Sequence, residues 1–168
     1  MKVCTFIGHR FIKVTQQLRD RLLSLLEFLI VEKGVGQFLL GSASQFNSLC
    51  VEVLCQLKIK YPHIERIRVR AEYDYSNYKE IAIEWSKFYE DKYFPQCVRG
   101  AGKKSYVVRN QYIINKSDIV VFYYDEEYQP AEITRGKYNL SIRRASGTKL
   151  AYEYAVKKKK IIYNLFEK

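Results

Sequence analysis

The sequence predicts an α/β protein with a Rossmann-like, open and mainly parallel sheet that carries helices on both faces. Short apolar runs alternate along the chain with longer segments whose apolar residues recur at helical spacing. The run IVVFYY at residues 119–124 is apolar on both faces, as expected of a strand covered by two layers. This alternation favours parallel strands joined by right-handed crossovers.

The strands are predicted from apolar or alternating runs bounded by turn residues. They lie at residues 2–8, 37–41, 65–73, 119–124 and 160–166.

The helices are predicted from apolar residues that recur every three or four positions. They cover residues 14–32, 44–57, 78–93, 105–117 and 146–158. Thr15 and Ser44 are predicted N-caps, because a hydroxyl oxygen accepts a hydrogen bond from the start of a helix. The segment from Tyr73 to Gly102 is the least determined, and a lid, a dimer face or an extra helix against the sheet all fit it.

Length and composition predict one domain over residues 1–168, because 48% of the 168 residues are apolar. The net charge of +11 favours an anionic partner such as a nucleotide, a nucleic acid or an acidic membrane surface, although a solvated basic surface explains it equally. Four cysteines without a C-x-x-C pair and only two histidines argue against a metal site, and we expect no metal and no cofactor.

The four cysteines also bear on location. We expect free, buried thiols in a reducing compartment, and hence a cytoplasmic protein. The chain shows no secretion signal and no stretch long enough to span a bilayer, so we expect no membrane partner.

Gly8, His9 and Arg10 follow the first predicted strand. Gly8 lets the backbone turn and lets a ligand approach it closely. Arg10 is able to hold a phosphate through two parallel hydrogen bonds, and His9 to donate to an oxygen or stack on a ring. Taken alone, the tripeptide is better explained by a simple turn with a surface charge.

Other candidate binding residues occupy similar positions. Small residues after the second strand leave amides and hydroxyls accessible before a helix. An SGT tripeptide opens the last helix, where backbone N–H groups and the helix dipole favour an anion. Asp125, after the strongest strand, suits a ribose hydroxyl or a base, and is equally explained as a loop acid. These candidates are Gly41, Ser42, Ala43, Ser44, Arg109, Asn110, Asp125, Ser146, Gly147 and Thr148.

Four stretches, in this order, carry a resemblance to a known family. They are FIGHR at residues 6–10, LLGSASQFNSLCVEVL at 39–54, VRNQYIINKSDIVVFYYD at 108–125 and SGTKLAYEYAVKKKKII at 146–162. Together they resemble the SLOG superfamily, which joins the DprA/Smf proteins with the LOG-type phosphoribohydrolases. The likeness is closest to its small stand-alone branch, the YpsA-like proteins of the DUF1273 type.

The resemblance implies a Rossmann-like fold with a nucleotide-type pocket. Residues 8–10 would line its floor, residues 41–44 a second wall, and Arg109 with Asn110 a third. Gly147 and Thr148 would hold phosphate.

The chain departs from the family pattern at two positions. The family often shows a double glycine followed by G-F-D, whereas this chain has GSASQFN, with Ser42 replacing a glycine and Asn47 at the usual aspartate position. The phosphoribohydrolase branch carries P-G-G-x-G-T-x-x-E, and here Ala151 occupies the glutamate position while Glu153 lies two residues later on another face of the helix. The missing carboxylate argues against a simple transfer of that activity.

Three functions remain open from the sequence. The favoured one is binding of a nucleotide or nucleotide-derived signal through phosphates and ribose. The first alternative is hydrolysis of the N-glycosidic bond of a nucleoside monophosphate, with Glu153 or Asp125 supplying the missing carboxylate. The second is DprA-like nucleic-acid binding, because fifteen tyrosines offer stacking faces, although tyrosines also pack in cores. A homodimer is compatible with each.

Overall fold

A computed structural model describes residues 1–41, 44–71, 88–129 and 145–167, together with the backbone of 133–135 and 140–142. Its strands are β1 (Lys2–Gly8), β2 (Val35–Leu40), β3 (Glu65–Val69), β4 (Asp91–Tyr93), β5 (Ile119–Tyr123), β6 (Ile133–Arg135), β7 (Leu140–Ile142) and β8 (Ile161–Asn164). Six of them form one sheet in the order β4-β3-β2-β1-β5-β8, and every neighbouring pair is parallel. β6 and β7 form a separate antiparallel pair.

The helices cover both faces of this sheet. In the described part of the chain they are α1 (Gln16–Val31), α2 (Gln45–Lys60), α3 (Ser105–Lys116) and α4 (Gly147–Lys157). The first two pack on one face and the last two on the other, so the chain builds two apolar layers. The predicted α/β class with an open, parallel, Rossmann-like sheet is therefore confirmed.

Alternation along β1 divides its side chains between the two layers. Cys4 and Phe6 point into the layer with α1 and α2, where α1 contributes buried leucines one helical turn apart. Ile7 belongs to the opposite layer, with Val120 and Phe122 of β5. The two central strands β1 and β5 are thus covered on both faces, as is typical of a parallel sheet.

Three helices begin at hydroxyl caps that the sequence indicates. Thr15 accepts a hydrogen bond from the Leu18 N–H at 3.1 Å, and Ser44 accepts one from Asn47 at 3.2 Å. At the start of α4, Ser146 accepts from the Lys149 N–H at 3.1 Å. Each cap satisfies a backbone donor that the helix itself leaves unpaired.

The segment expected to be helical over residues 78–93 differs from the prediction. Residues 72–87 lie outside the described part of the chain, but Asp91–Tyr93 is a strand, β4, which pairs with β3. Beside it, the Glu90 carboxylate accepts hydrogen bonds from the Arg66 backbone N–H at 2.6 Å and from its guanidinium at 2.7 Å. These contacts hold the chain at the edge of the sheet. No periodicity in the local sequence predicts a strand there.

The four cysteines are free thiols, but only Cys4 and Cys50 are buried; Cys55 is half-buried and Cys97 is exposed. Within the described residues, no helix is long and apolar enough to cross a membrane.

Candidate functional site

The carboxyl ends of β1 and β5 mark the point where strand order reverses. From β1 the sheet extends through β2, β3 and β4 on one side, whereas β5 and β8 lie on the other. Gly8 pairs with Tyr123 at this end, and the His9 backbone N–H donates to the Tyr123 carbonyl oxygen at 3.3 Å. The loops after β1 and β5 therefore start side by side, where open α/β sheets bind ligands.

Gly8 ends β1 and packs directly under α2. A Cβ at this position would lie 2.5 Å from Cδ1 and 2.7 Å from Cβ of Phe46, whose side chain is fully buried. Gly8 does not adopt a positive φ, so the position does not need glycine for a left-handed turn. On this side of the backbone glycine is required for packing against Phe46.

His9 joins the two loops from a buried position. Its side chain is 2% exposed, and its Nε2 accepts a hydrogen bond from the Asp125 backbone N–H at 3.0 Å. The same nitrogen lies 3.2 Å from the Asp125 carbonyl oxygen. The Tyr128 ring stacks on the imidazole with centroids 3.8 Å apart.

The protonation of His9 follows from these contacts. Burial lowers the pKa of the imidazole, although the Asp125 carbonyl and carboxylate oppose that effect. Nε2 faces both the Asp125 N–H, which donates, and the Asp125 carbonyl oxygen, which accepts, so either tautomer of the neutral ring fits this side. Among the described residues the buried Nδ1 on the other side of the ring has no hydrogen-bond partner. The loop therefore holds a buried polar ring nitrogen without a partner in the described part of the chain, which is uncommon in protein interiors.

The start of α2 is tied to the loop after β1. The Gln45 N–H donates to the Arg10 carbonyl oxygen at 3.0 Å, and the Gln45 side chain accepts from the Ile12 N–H at 2.8 Å. Arg10 is exposed, and no hydrogen bond or ion pair of its side chain is recorded among the described residues. Ser44 is buried and its hydroxyl caps the helix. Ser42 and Ala43 lie outside the described residues.

Arg109 closes over the carboxyl ends of β2 and β3. Its side chain is 1% exposed, donates from Nη1 to the Val69 carbonyl oxygen at 3.2 Å and from Nε to the Asn110 side chain at 3.0 Å. A Cβ on Gly41 would lie 2.3 Å from the same Nη1. The ring of Tyr106 lies beside the guanidinium at 5.8 Å. Three of the candidates, Gly41, Arg109 and Asn110, are therefore in one cluster.

The start of α4 lies at the same edge of the sheet. The parallel strands all end at the same edge of the sheet, so a helix that follows a strand begins at this edge, as α2 does. A helix that leads into the next strand ends at the opposite edge, as α3 and α4 do. The N-termini of all three helices therefore face the carboxyl edge. Ser146 caps α4, Thr148 is buried, and nothing lies within 4 Å of a Cβ built on Gly147. Within the described residues no hydrogen bond or ion pair joins these three to the other candidates.

The two candidate carboxylates have different surroundings. Asp125 is half-buried, and its side chain accepts from the Glu127 N–H at 2.9 Å, which closes a local turn. Glu153 is exposed on α4. Ala151, at the position where the resemblance would put a catalytic glutamate, is 3% exposed in the apolar layer beside Phe122.

Several contributors to this edge were not predicted from the sequence. Phe46 fills the space at Gly8, Gln45 ties two loops together, and the Val69 carbonyl oxygen receives Arg109. None of these has a local sequence signal, because each contact joins residues from different strand–helix units.

Comparison with known proteins adds no assignment to this geometry. In the described part of the chain, no group of three or more histidine, cysteine, aspartate or glutamate side chains is placed to hold a metal ion. No protein-family model matches the chain, and no curated protein sequence matches it.

Proposed function

We propose that this chain binds a nucleotide or a nucleotide-derived small molecule, through its phosphates and ribose, at the carboxyl edge of the sheet. The observation that carries the proposal is His9, a buried ring at the strand-order reversal whose Nδ1 finds no hydrogen-bond partner among the described residues. A polar group of a ligand, such as a ribose hydroxyl, which both donates and accepts, would satisfy this nitrogen in either tautomer. The nearby loop also presents the exposed Arg10, whose guanidinium suits a phosphate.

The helix starts at this edge support the same class of ligand. α4 begins with an open Gly147 and with Thr148, and α2 begins at a serine cap tied to the Arg10 backbone. Backbone N–H groups and helix dipoles at such starts favour negative charge. The net charge of +11 adds a long-range attraction for anions.

The proposal also covers the family of the chain and its cellular compartment. The order of the four motif stretches supports membership of the SLOG superfamily. The free thiols of Cys4, Cys50, Cys55 and Cys97 support a reducing compartment such as the cytoplasm.

Phosphoribohydrolase activity receives less support than binding. The position that would hold a catalytic glutamate is Ala151, which is packed against the sheet, so this face of α4 has no room for a solvated carboxylate. Chromatography for a released base, with nucleoside monophosphates as substrates, tests the alternative directly. A base released by the wild type but not by Glu153→Gln or Asp125→Asn would establish it.

Calorimetry and thermal unfolding with a nucleotide panel test the binding proposal. The panel should hold adenine and guanine mono-, di- and triphosphates and cyclic ADP-ribose. A ligand at about 100 times its Kd adds about 2.7 kcal/mol to the free energy of unfolding, which a melting curve detects readily. Arg10→Ala and Thr148→Ala should weaken binding, whereas Lys13→Ala, which removes an exposed charge from the same loop, should not. No heat and no shift with any member of the panel would overturn the proposal.

A further inference from the structure

The outer strand β8 is incompletely covered on the face that carries α1 and α2. Side chains alternate along this strand, so Ile161, Tyr163 and Leu165 point to that face. Leu165 is buried in the apolar layer, Tyr163 only partly, and Ile161 is 51% exposed. Parallel sheets are normally covered on both faces, so within the described residues this strand has only part of a layer on this face.

The helix beside it leaves apolar side chains exposed next to the same strand. Phe28 is 39% exposed and Val31 is 56% exposed. Ser24, Phe28 and Val31 are four and three residues apart, so they lie along one side of α1, with Leu25 adjacent. Lys33 places its ammonium 5.1 Å from the centre of the Phe28 ring.

An open groove of about 420 Å³ continues this surface between α1 and β8. Leu25, Tyr163 and Leu165 form its apolar wall, and Asp20, Ser24 and Asn164 contribute polar atoms. Arg21 also lines the groove, and its charge is compensated by Glu167 at 2.8 Å. The groove lies toward the start of α1, whereas Phe28, Val31 and Ile161 project toward its end. Projecting apolar side chains and a groove able to receive them therefore share one strip of surface.

The unpaired edge of β8 adds backbone groups to this strip. The N–H groups of Ile161 and Leu165 bond inward, to Asp118 and Phe122. By the alternation of a parallel ladder, the N–H and C=O groups of Ile162 and Asn164 point away from β5. No strand of the described chain covers that edge.

We propose that this strip, formed by α1 and β8, is a two-fold interface with a second copy of the chain. A two-fold axis near the middle of α1 runs the two helices antiparallel, which places the projecting Phe28 of each copy at the groove of the other. It also places Lys33, at one end of the strip, beside the second copy's Asp20, at the other end. This self-complementarity of shape and charge favours a second copy over an unrelated partner.

The size of the strip determines the expected affinity of the dimer. α1 has 16 residues and is therefore about 24 Å long, so a contact along it and β8 falls at the small end of specific interfaces. The dimer should have a Kd on the order of micromolar. Each copy carries a charge of +11, so added salt should strengthen the dimer by screening their repulsion.

Sedimentation velocity over a range of concentrations and salt tests this interface with the full chain. The wild type should show a reversible dimer that grows with concentration and with salt. Phe28→Glu and Ile161→Glu should each weaken it at least about tenfold. The matched control is Ile59→Glu, at an α2 position that is 86% exposed and is not part of the strip, and it should dimerise as the wild type does.

Melting curves check that each variant is folded. Because all three positions are exposed, the variants should unfold at temperatures close to that of the wild type. A wild type that remains monomeric up to about 300 μM, where a micromolar dimer is saturated, overturns the proposal. A dimer that is insensitive to Phe28→Glu or to Ile161→Glu, or equally sensitive to Ile59→Glu, overturns it as well. Neither outcome depends on nucleotide binding.

Discussion

Replacing Gly8 by alanine tests the packing that positions the loop after β1. The new Cβ would lie 2.5, 2.6 and 2.7 Å from three atoms of Phe46, two of the ring and the side-chain Cβ. Contacts this short require a shift of one partner. The Phe46 Cβ cannot move without the backbone of α2, and its ring is enclosed in the apolar layer, so relief by a simple rotation of the ring is blocked.

The expected cost follows from overpacking in a core. Forcing one additional carbon into a well-packed site costs about 1–3 kcal/mol. For a domain of this size each kcal/mol corresponds to a change of roughly 2–4 °C in Tm. Gly8→Ala should therefore melt about 2–12 °C below the wild type, with an unfolding transition that remains cooperative.

Thermal unfolding followed by circular dichroism measures this difference, and Gly147→Ala is the matched control. A Cβ at Gly147 meets nothing within 4 Å and the residue begins a helix, so this variant should melt at or slightly above the wild-type temperature. The cost of Gly8→Ala should be smaller in a Phe46→Ala background, because that change removes Cγ and Cδ1 from the contact. A Gly8→Ala variant that melts within about 1 °C of the wild type would refute the packing argument.

Three further predictions concern electrostatics and capping. Partial burial favours the protonated form of Glu90, but hydrogen bonds from Arg66 and the nearby Lys58 outweigh it and lower the pKa of the carboxyl to about 2. The ionised Glu90 therefore stabilises the fold above pH 4.5, and this stabilisation is lost as the pH falls toward 2. Glu90→Gln should lower the free energy of unfolding by about 1–3 kcal/mol at neutral pH. In urea titrations at decreasing pH, the variant should lack the loss of stability that Glu90 causes. Burial lowers the pKa of His9 below its usual 6.5, so the unfolded chain takes up the proton first and stability falls as the pH drops below 6.5. His9→Gln should flatten stability between pH 5 and 7, and a variant whose stability changes with pH as steeply as that of the wild type would contradict the assignment. Thr15→Ala removes the α1 cap and should cost about 1 kcal/mol in the same titrations, whereas an unchanged midpoint would show that the cap contributes little.

The parts of the fold that could be predicted are those with a pattern inside a single helix or strand. The run at β5, the leucine spacing of α1 and the hydroxyl caps at Thr15, Ser44 and Ser146 are all readable within one element, and the structure has them. β4 was missed because its three residues have no pattern of their own.

The sequence predicts which residues lie at the carboxyl edge of the sheet, but not which of their side chains contact one another. The sequence places residues at strand ends, and parallel topology brings those ends to one edge. It does not reveal that His9 reaches Asp125 across 116 residues or that Arg109 is buried against Gly41. Those contacts depend on side-chain packing between units, which no spacing in the sequence encodes.

The central place of β1 has a consequence for synthesis of the chain. β1 leaves the ribosome well before β5, one of its two neighbours, and the Val3 N–H finds its acceptor on Asp118, 115 residues later. Until β5 has emerged, the nascent chain has an apolar strand with one unpaired edge, which is the kind of surface that chaperones shield. The centre of the sheet is therefore ordered only after β5 has been synthesised, and truncation before β5 should yield an aggregating product.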